Sequence, residues 1–252
     1  MTDIISLSSA GYAFIKGGAH PFSLGVVCLK GHVLTRVRFR SPLPLAEGLA
    51  RAASFIQAQG RPLTALAACE LRSPAQMNLT DFAAFNRTYV ELLRANGFPP
   101  EAPFPMARSN VAPTLDPPAT NTLFAFTYAA PSAEAAARLH PDFLISGKAE
   151  LDEDSNGVRR VIAEGDASAA GTEKKAAFVF EGLRHRVQEL GGAWSDITGI
   201  QAYTTRPIEP VLPLLQSLGL TPVGLTLHPA YPPVAPYQFE ADVRAVSVER
   251  TL

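Results

Sequence analysis

Proline and glycine interrupt this chain so often that they limit the length of its helices and strands. The 252 residues include 22 prolines and 18 glycines, which end helices and strands or form turns. We therefore expect many short elements. Apolar residues at helical spacing predict helices at 45–59, 82–95, 173–190 and 211–218, the second with Thr80 or Asp81 as its N-cap. Apolar or alternating runs predict strands at 63–71, 123–129, 143–149, 158–163, 197–204 and 238–248.

The composition excludes several classes of protein. With 47% hydrophobic residues and a net charge of −1, the chain can fill a core and is not a basic nucleic-acid binder. No apolar run reaches the roughly 20 residues that a membrane helix needs. The start of the chain lacks the features of a secretory signal, and Cys28 and Cys69 are too few for a disulfide framework. We expect a soluble cytoplasmic protein whose partners include neither nucleic acid nor a membrane.

Both halves of the chain are predicted to follow the order strand–strand–helix–strand–helix–strand, with no residue ranges assigned to the first two strands of the first half. An offset of 116 residues aligns 107–113 with 223–229, and it also aligns 123–125 with 239–241 without a gap. Self-similarity of this kind indicates a diverged internal duplication. The sequence therefore predicts one α+β unit at 1–130 and a second at 131–252.

Several segments resemble the Rid (YjgF/YER057c/UK114) family. Residues 81–89 (DFAAFNRTY) and 107–111 (ARSNV) are similar to the second helix and the arginine loop of that family. In the second half, residues 143–147 (FLISG) resemble its early strand and glycine, and 165–197 resemble its first helix and following strand. The motifs cover both halves, and each half keeps part of the pattern.

The resemblance implies a fold and an assembly. The fold would be α+β, with two chorismate-mutase-like units, each a mainly antiparallel sheet backed by two helices. In that family three units join their sheets into a barrel, and the sites lie in the clefts between units. Two units per chain would then give a homotrimer of six units.

The resemblance also implies a set of site residues. Arg108 matches the arginine that binds the substrate carboxylate, and Glu240 matches the glutamate that helps to position water. Gly224 replaces that arginine in the second half, and Phe124 replaces that glutamate in the first half. Asn110 occupies the position where the family often has a cysteine. Either Arg108 and Glu240 meet across the interface between halves, or the family's usual chemistry has been lost.

The residue types suit hydrolysis of a C=N bond. The planar guanidinium of Arg108 can form two parallel, charge-assisted hydrogen bonds to a carboxylate. Glu240 could take a proton from the attacking water and is the catalytic candidate. Asn86 and Asn110 are the further substrate-binding candidates. The alternatives are ordinary structural roles: a loop arginine paired with a surface acid, a solvent-facing glutamate, and a surface or capping asparagine.

Metal and cofactor motifs do not occur in the sequence. The five histidines lack zinc-site spacing, and no glycine-rich nucleotide-binding loop is present. Residues 152–157 resemble a calcium loop at first, but position twelve is Ala163 and strands flank the segment, so an Asn-Gly hairpin explains it better. We predict no metal and no cofactor.

Two functions follow as hypotheses. The first is a deaminase that hydrolyses a small imino or enamino carboxylic acid, with 2-aminomuconate as a natural variant. The second is a non-catalytic protein that binds small carboxylates, suggested by the unequal loss of charged groups between the halves. A third hypothesis is a chorismate-cleaving enzyme, since that group also contains Rid-like units. It is more remote, because the chains of that group are longer.

Overall fold

The computed structural model describes residues 3–17, 21–98, 103–153 and 157–252. In these residues there are four α-helices: α1 (Leu45–Ala58), α2 (Leu79–Ala95), α3 (Ala169–Glu189) and α4 (Leu212–Ser217). The strands are β1 (Ile4–Leu7), β2 (Tyr12–Ile15), β3 (Gly25–Cys28), β4 (His32–Pro44), β5 (Leu66–Arg72), β6 (Ala107–Pro113), β7 (Thr122–Pro131), β8 (Phe143–Ile145), β9 (Lys148–Ala149), β10 (Leu151–Glu153), β11 (Arg159–Val161), β12 (Gly199–Thr204), β13 (Thr226–His228), β14 (Ala230–Tyr231), β15 (Phe239–Ala245) and β16 (Val248–Thr251).

A six-stranded sheet carries helices α1 and α2. Its strand order is β14-β6-β5-β7-β4-β16. Helix α1 buries Leu49, Ala52 and Ile56, which recur at helical spacing and pack with Phe126 of β7 in one apolar cluster. The amphipathic pattern thus places this helix on the sheet.

An eight-stranded sheet carries the long helix α3. Its main path is β1-β2-β3-β8-β15-β12-β13, and β9 also pairs with β15. Val179, Phe180, Leu183 and Val187 of α3 are buried against this sheet. The second large core lies between that helix face and the sheet.

The predicted fold class is wrong. Strands β1–β3, from the first half of the chain, extend the second sheet, and β14 and β16, from the second half, form both edges of the first sheet. Parallel pairs (β5–β6, β12–β13 and β4–β16) make both sheets mixed instead of mainly antiparallel. Four strands in each sheet share one connectivity, β6-β5-β7-β4 and β13-β12-β15-β8. Each half supplies strands that cover edges of the other half's sheet, where backbone groups would otherwise lack partners.

The two sheets also make direct contact with each other. Small residues of the first sheet, such as Ala67, Ala68 and Ala107, pack with Tyr12 and Leu144 of the second sheet in one buried cluster. The Tyr12 hydroxyl donates a hydrogen bond to the Leu66 carbonyl oxygen at 2.8 Å. Alanine allows close approach of the two backbones, and this brings β6 beside β8.

The helix predictions were close, except at one cap. The observed α2 begins at Leu79, and its N-cap is Asn78, whose Oδ1 accepts a hydrogen bond from the Asp81 backbone N–H at 2.9 Å. The predicted caps, Thr80 and Asp81, instead lie inside the first turn. Among the described residues, no helix is both long enough and apolar enough to cross a membrane.

Candidate active site

A cavity of about 560 Å³ lies between the two sheets. Strand β6 and helix α2 line one side of it, and residues 146–149, α3 and β15 line the other. The site residues suggested by the sequence all line this cavity: Asn86, Arg108, Asn110 and Glu240. The structure therefore brings together groups from both halves of the chain.

Arg108 lies on β6, and aromatic rings surround its guanidinium group. The guanidinium carbon lies 4.0 Å from the centre of the Phe22 ring, 5.5 Å from that of Phe82 and 5.3 Å from that of Tyr89. Arg108 Nη1 donates a hydrogen bond to Asn86 Oδ1 at 2.8 Å. Burial lowers the pKa of Arg108 to about 10, so the group remains a cation at neutral pH. The rings and the amide hold that cation in one orientation.

Helix α2 supplies most of this aromatic cage through its residue spacing. Phe82, Asn86 and Tyr89 lie four and three residues apart, so they share one face of the helix. Phe85 and Tyr89, also on that face, have stacked rings whose centres are 6.3 Å apart. The same stripe of residues thus packs the helix and binds the arginine.

Glu240 lies on β15, and its side chain is buried. Its residue is 4% exposed. The carboxyl group occupies space next to Gly147, where a Cβ would overlap Glu240 Oε1. Burial raises the pKa of Glu240 well above its usual range, and the nearby carboxyl groups of Asp242 and Glu150 raise it further. The protonated form of this side chain is therefore favoured, which suits the group to donate a proton.

Hydrogen bonds between the two sheets fix Arg108 relative to Glu240. The Arg108 backbone N–H donates to Ser146 Oγ at 3.0 Å, and the Gly147 N–H donates to the Arg108 carbonyl oxygen at 3.2 Å. Ser146 Oγ in turn donates to the Ser23 carbonyl oxygen at 2.7 Å. The segment that makes room for Glu240 is thus bonded to the strand that carries Arg108.

Asn110 contributes an unused hydrogen-bond donor. Its Oδ1 accepts a hydrogen bond from Ser73 Oγ at 3.0 Å, which orients the amide. Its Nδ2 is buried without a partner among the described residues. Buried polar atoms are rarely left unpaired, so this amide is suited to an oxygen atom of a ligand.

Sequence reasoning missed two cations of this cavity, Lys148 and Arg186. Lys148 Nζ lies 4.3 Å from the centre of the Phe178 ring and donates to the Leu151 carbonyl oxygen at 3.4 Å. Burial and the adjacent Arg186 lower the pKa of Lys148 to about 8. Burial also lowers the pKa of Arg186 to about 10. A lone lysine after a glycine and an arginine on an amphipathic helix carry no signal of a site in the sequence.

The described residues hold no cluster of three or more histidine, cysteine, aspartate or glutamate side chains that could bind a metal ion. The segment that resembled a calcium loop is flanked by β10 and β11, which pair antiparallel as in a hairpin. Asp154, Ser155 and Asn156 of that segment lie outside the described residues.

A family model described as 2-aminomuconate deaminase CnbZ matches residues 4–250. The chain belongs to this family. It is 37% identical over 254 residues to the 2-amino-5-chloromuconate deaminase of Comamonas testosteroni, and the match covers 100% of both chains. Among solved structures it is similar to a chorismatase (12% identity, TM-score 0.49, 94% of this chain and 77% of the other). It is also similar to a cyanuric acid hydrolase (10% identity, TM-score 0.39, 87% and 70%).

Membership of the CnbZ family corrects the resemblance drawn from the sequence. The Rid assignment is wrong, because the matching family model spans nearly the whole chain and describes a different family. The motifs that suggested it are separate segments of the chain, whereas the CnbZ model matches residues 4–250 as a whole. The expectation of a deaminase with a muconate-type substrate agrees with the family that does match.

Proposed function

We propose that this protein hydrolyses a 2-aminomuconate-type enamine to the corresponding 2-oxo acid and ammonia. The observation that carries the proposal is that Arg108 and Glu240 both line one cavity, in a chain of the CnbZ family. The guanidinium there is a cation at neutral pH, and burial raises the pKa of the carboxyl group and so favours its protonated form. That pair supplies an anchor for a carboxylate and a proton donor for the carbon–nitrogen group beside it.

Arg108 binds the carboxylate next to the amino-bearing carbon. Its orientation is set before the substrate arrives, because Asn86 and the aromatic rings already hold it. Such preorganisation removes part of the entropy cost of positioning the reacting carbon. The unpaired Asn110 amide is placed to donate to another substrate oxygen.

Glu240 moves the protons. It first donates its proton to the carbon chain of the enamine, which becomes an iminium ion. The carboxylate then takes a proton from water as the water oxygen bonds to the iminium carbon, giving a carbinolamine. Glu240 protonates the amino group, the C–N bond breaks to release ammonia, and the hydroxyl proton returns to Glu240 as the C=O bond forms. The protons balance, and Glu240 ends in its starting state.

Ammonia release tests this assignment. The purified protein is assayed with 2-aminomuconate and 2-amino-5-chloromuconate, with spontaneous hydrolysis subtracted. We expect Glu240→Gln to lower kcat by roughly 10²- to 10⁴-fold, the range of general acid–base catalysis. Arg108→Gln should lower kcat/KM by at least about 10-fold, because charge-assisted hydrogen bonds are lost.

The exposed Arg87, which follows Asn86 on α2, provides the matched control as Arg87→Gln. Its activity should equal that of the wild type. Folded wild-type protein that releases no ammonia above the spontaneous rate would overturn the proposal. If that protein still bound the substrates, the non-catalytic alternative would take its place.

The homotrimer expected from the sequence stays a prediction. It was drawn from the Rid resemblance, and the part of it that does not depend on that family is the shared connectivity that gives each chain two similar sets of strands. Light scattering should give three times the chain mass of 26.9 kDa. The mass of a single chain at micromolar concentration would contradict it.

A further inference from the structure

The candidate active site has more positive charge than one carboxylate requires. Of its acidic lining residues, Glu153 is paired with Arg159 at 3.0 Å and Asp152 with Arg160 at 2.9 Å. Burial favours the neutral form of Glu240 by raising its pKa. Three further cations line the cavity, Arg108, Lys148 and Arg186, and none of them forms a salt bridge within the part of the chain that the structure describes, although Glu189 and Glu240 act on Arg186, and Asp152 on Lys148, from further away.

Lys148 and Arg186 lie close enough together for Arg186 to lower the pKa of Lys148, and Lys148 packs on Phe178, a ring outside the aromatic cage of Arg108. Arg186 Nη1 reaches the Ser146 carbonyl oxygen only at 3.4 Å, and Lys148 Nζ reaches the Leu151 carbonyl oxygen only at 3.4 Å. Two neighbouring cations in a partly buried site repel each other and lose hydration. An arrangement of this kind is stabilised when an anion binds between them.

A glycine in α3 allows Lys148 to reach the cavity. The aliphatic part of Lys148 crosses the helix at Gly182, where an added Cβ would overlap Cε and lie 2.6 Å from Cδ. Glycine is unfavourable inside a helix, and α3 continues for seven residues beyond this one. The absence of a side chain at this position is what gives the lysine its path.

The proton-transfer group lies near cations of both regions. Glu240 is close enough to interact electrostatically with both Arg108 and Arg186. A ligand with one carboxylate on Arg108 would therefore extend past Glu240 toward Lys148 and Arg186. A conjugated dicarboxylate has its second negative charge at that end of the chain.

The geometry points to Lys148 and Arg186 as the binding site for the distal carboxylate of the substrate, which makes the cavity selective for dicarboxylates. This inference rests on the proposed function for the identity of the substrate. The two cations are specificity-determining residues and take no part in proton transfer.

The activity test compares 2-aminomuconate with its monoester at the distal carboxylate, which keeps the reacting end unchanged. Wild type should prefer the diacid by at least about 10-fold in kcat/KM, as expected for a lost charge-assisted bond. Lys148→Met and Arg186→Gln should each lower kcat/KM for the diacid by at least about 10-fold and leave the monoester within a factor of about two. Arg184→Gln, on the same helix but paired with Glu181 at the surface, is the matched control and should behave as wild type.

A binding test separates this inference from the deaminase proposal. Titration calorimetry measures the affinity for muconate and for its monomethyl ester. Neither compound is turned over, so the comparison reports the contribution of the cation pair to binding alone. Muconate should bind wild type more tightly than the ester does, and Lys148→Met should remove the difference. That result supports the distal site even if no ammonia is released. The inference would be overturned if Lys148→Met lowered the affinity for diacid and monoester equally, or lowered neither affinity.

Discussion

Gly147 leaves the space that the Glu240 carboxyl group fills. An added Cβ at residue 147 would overlap Glu240 Oε1 and would lie 3.3 Å from Ser109 Oγ. The backbone at Gly147 does not have the positive φ that favours glycine, so the need for glycine here comes from the neighbouring acid. The residue next to Lys148 thereby decides where the proton donor can lie.

Gly147→Ala should therefore lower activity by displacing Glu240. We expect kcat to fall by at least about 10-fold, toward the roughly 10²- to 10⁴-fold loss that removal of a general acid produces. The measurement is steady-state ammonia release by Gly147→Ala, Glu240→Gln and the double variant. Because the alanine acts through Glu240, the double variant should be no slower than Glu240→Gln alone. Losses that multiply would contradict this relationship.

Gly182→Ala should separate substrate selectivity from stability. The new Cβ would displace the flexible end of Lys148, while alanine is favoured over glycine inside a helix by up to about 1 kcal/mol. We expect the free energy of unfolding in urea to stay the same or rise, and the preference for the diacid over its monoester to fall. A variant that keeps the full preference would show that Lys148 does not need this path.

The sequence predicted those elements whose interacting residues lie close together along the chain, and it did not predict contacts between distant positions. Helices α1, α2 and α3 were close to their observed bounds, because each has apolar residues at local helical spacing. The pairing of β3 with β8 joins residues more than 100 positions apart, and no local pattern encodes it. The sequence analysis expected two strands before residue 45 but gave them no bounds, and it did not predict that β1–β3 join the sheet of the second half.

The site residues divide in the same way into those that a local motif indicates and those that only the packing of distant segments brings together. Arg108 and Glu240 were proposed from motif order, and they do line one cavity, although the family that suggested them was wrong. Their catalytic roles stay predictions. Lys148 and Arg186 could not be found, because only the packing of α3 on the second sheet brings them to the same cavity.

The value of kcat/KM for doubly ionised 2-aminomuconate should fall as the pH rises above 8. Lys148 has a pKa of about 8 because of burial and Arg186 on α3, with Asp152 on β10 opposing the shift. Below that pH the lysine is a cation and binds the distal carboxylate; above it the charge is lost. Both substrate carboxylates stay ionised throughout, so the fall reports the free enzyme. In Lys148→Arg the fall should move to higher pH, and an unmoved profile would contradict the role of Lys148.

The buried pair of Arg36 and Glu70 should dominate the stability of the contact between the sheets. Arg36 Nη2 donates to Glu70 Oε2 at 2.8 Å, and Gln201 Nε2 joins Glu70 to Asp242 of the other sheet at 3.2 and 3.1 Å. Burial opposes ionisation of Glu70, but Arg36 outweighs it and lowers the pKa of Glu70 below its usual range. The stabilisation is present above the unfolded-state pKa of glutamate and is lost as the pH falls through the lower folded-state value.

Glu70→Gln should therefore lower the free energy of unfolding by about 3 kcal/mol, the lower end of the range for breaking a buried pair, since the half-exposed Glu249 at 3.7 Å is the carboxylate left beside the buried Arg36. Urea unfolding at pH 7, followed by circular dichroism, measures the change. Glu181→Gln removes the partner of the surface residue Arg184 and should change the midpoint little, because solvent screens that pair. The difference between the two variants should shrink in acid, as Glu70 becomes protonated in the wild type. Equal effects of both variants at pH 7 would show that the buried pair adds no more than a surface contact does.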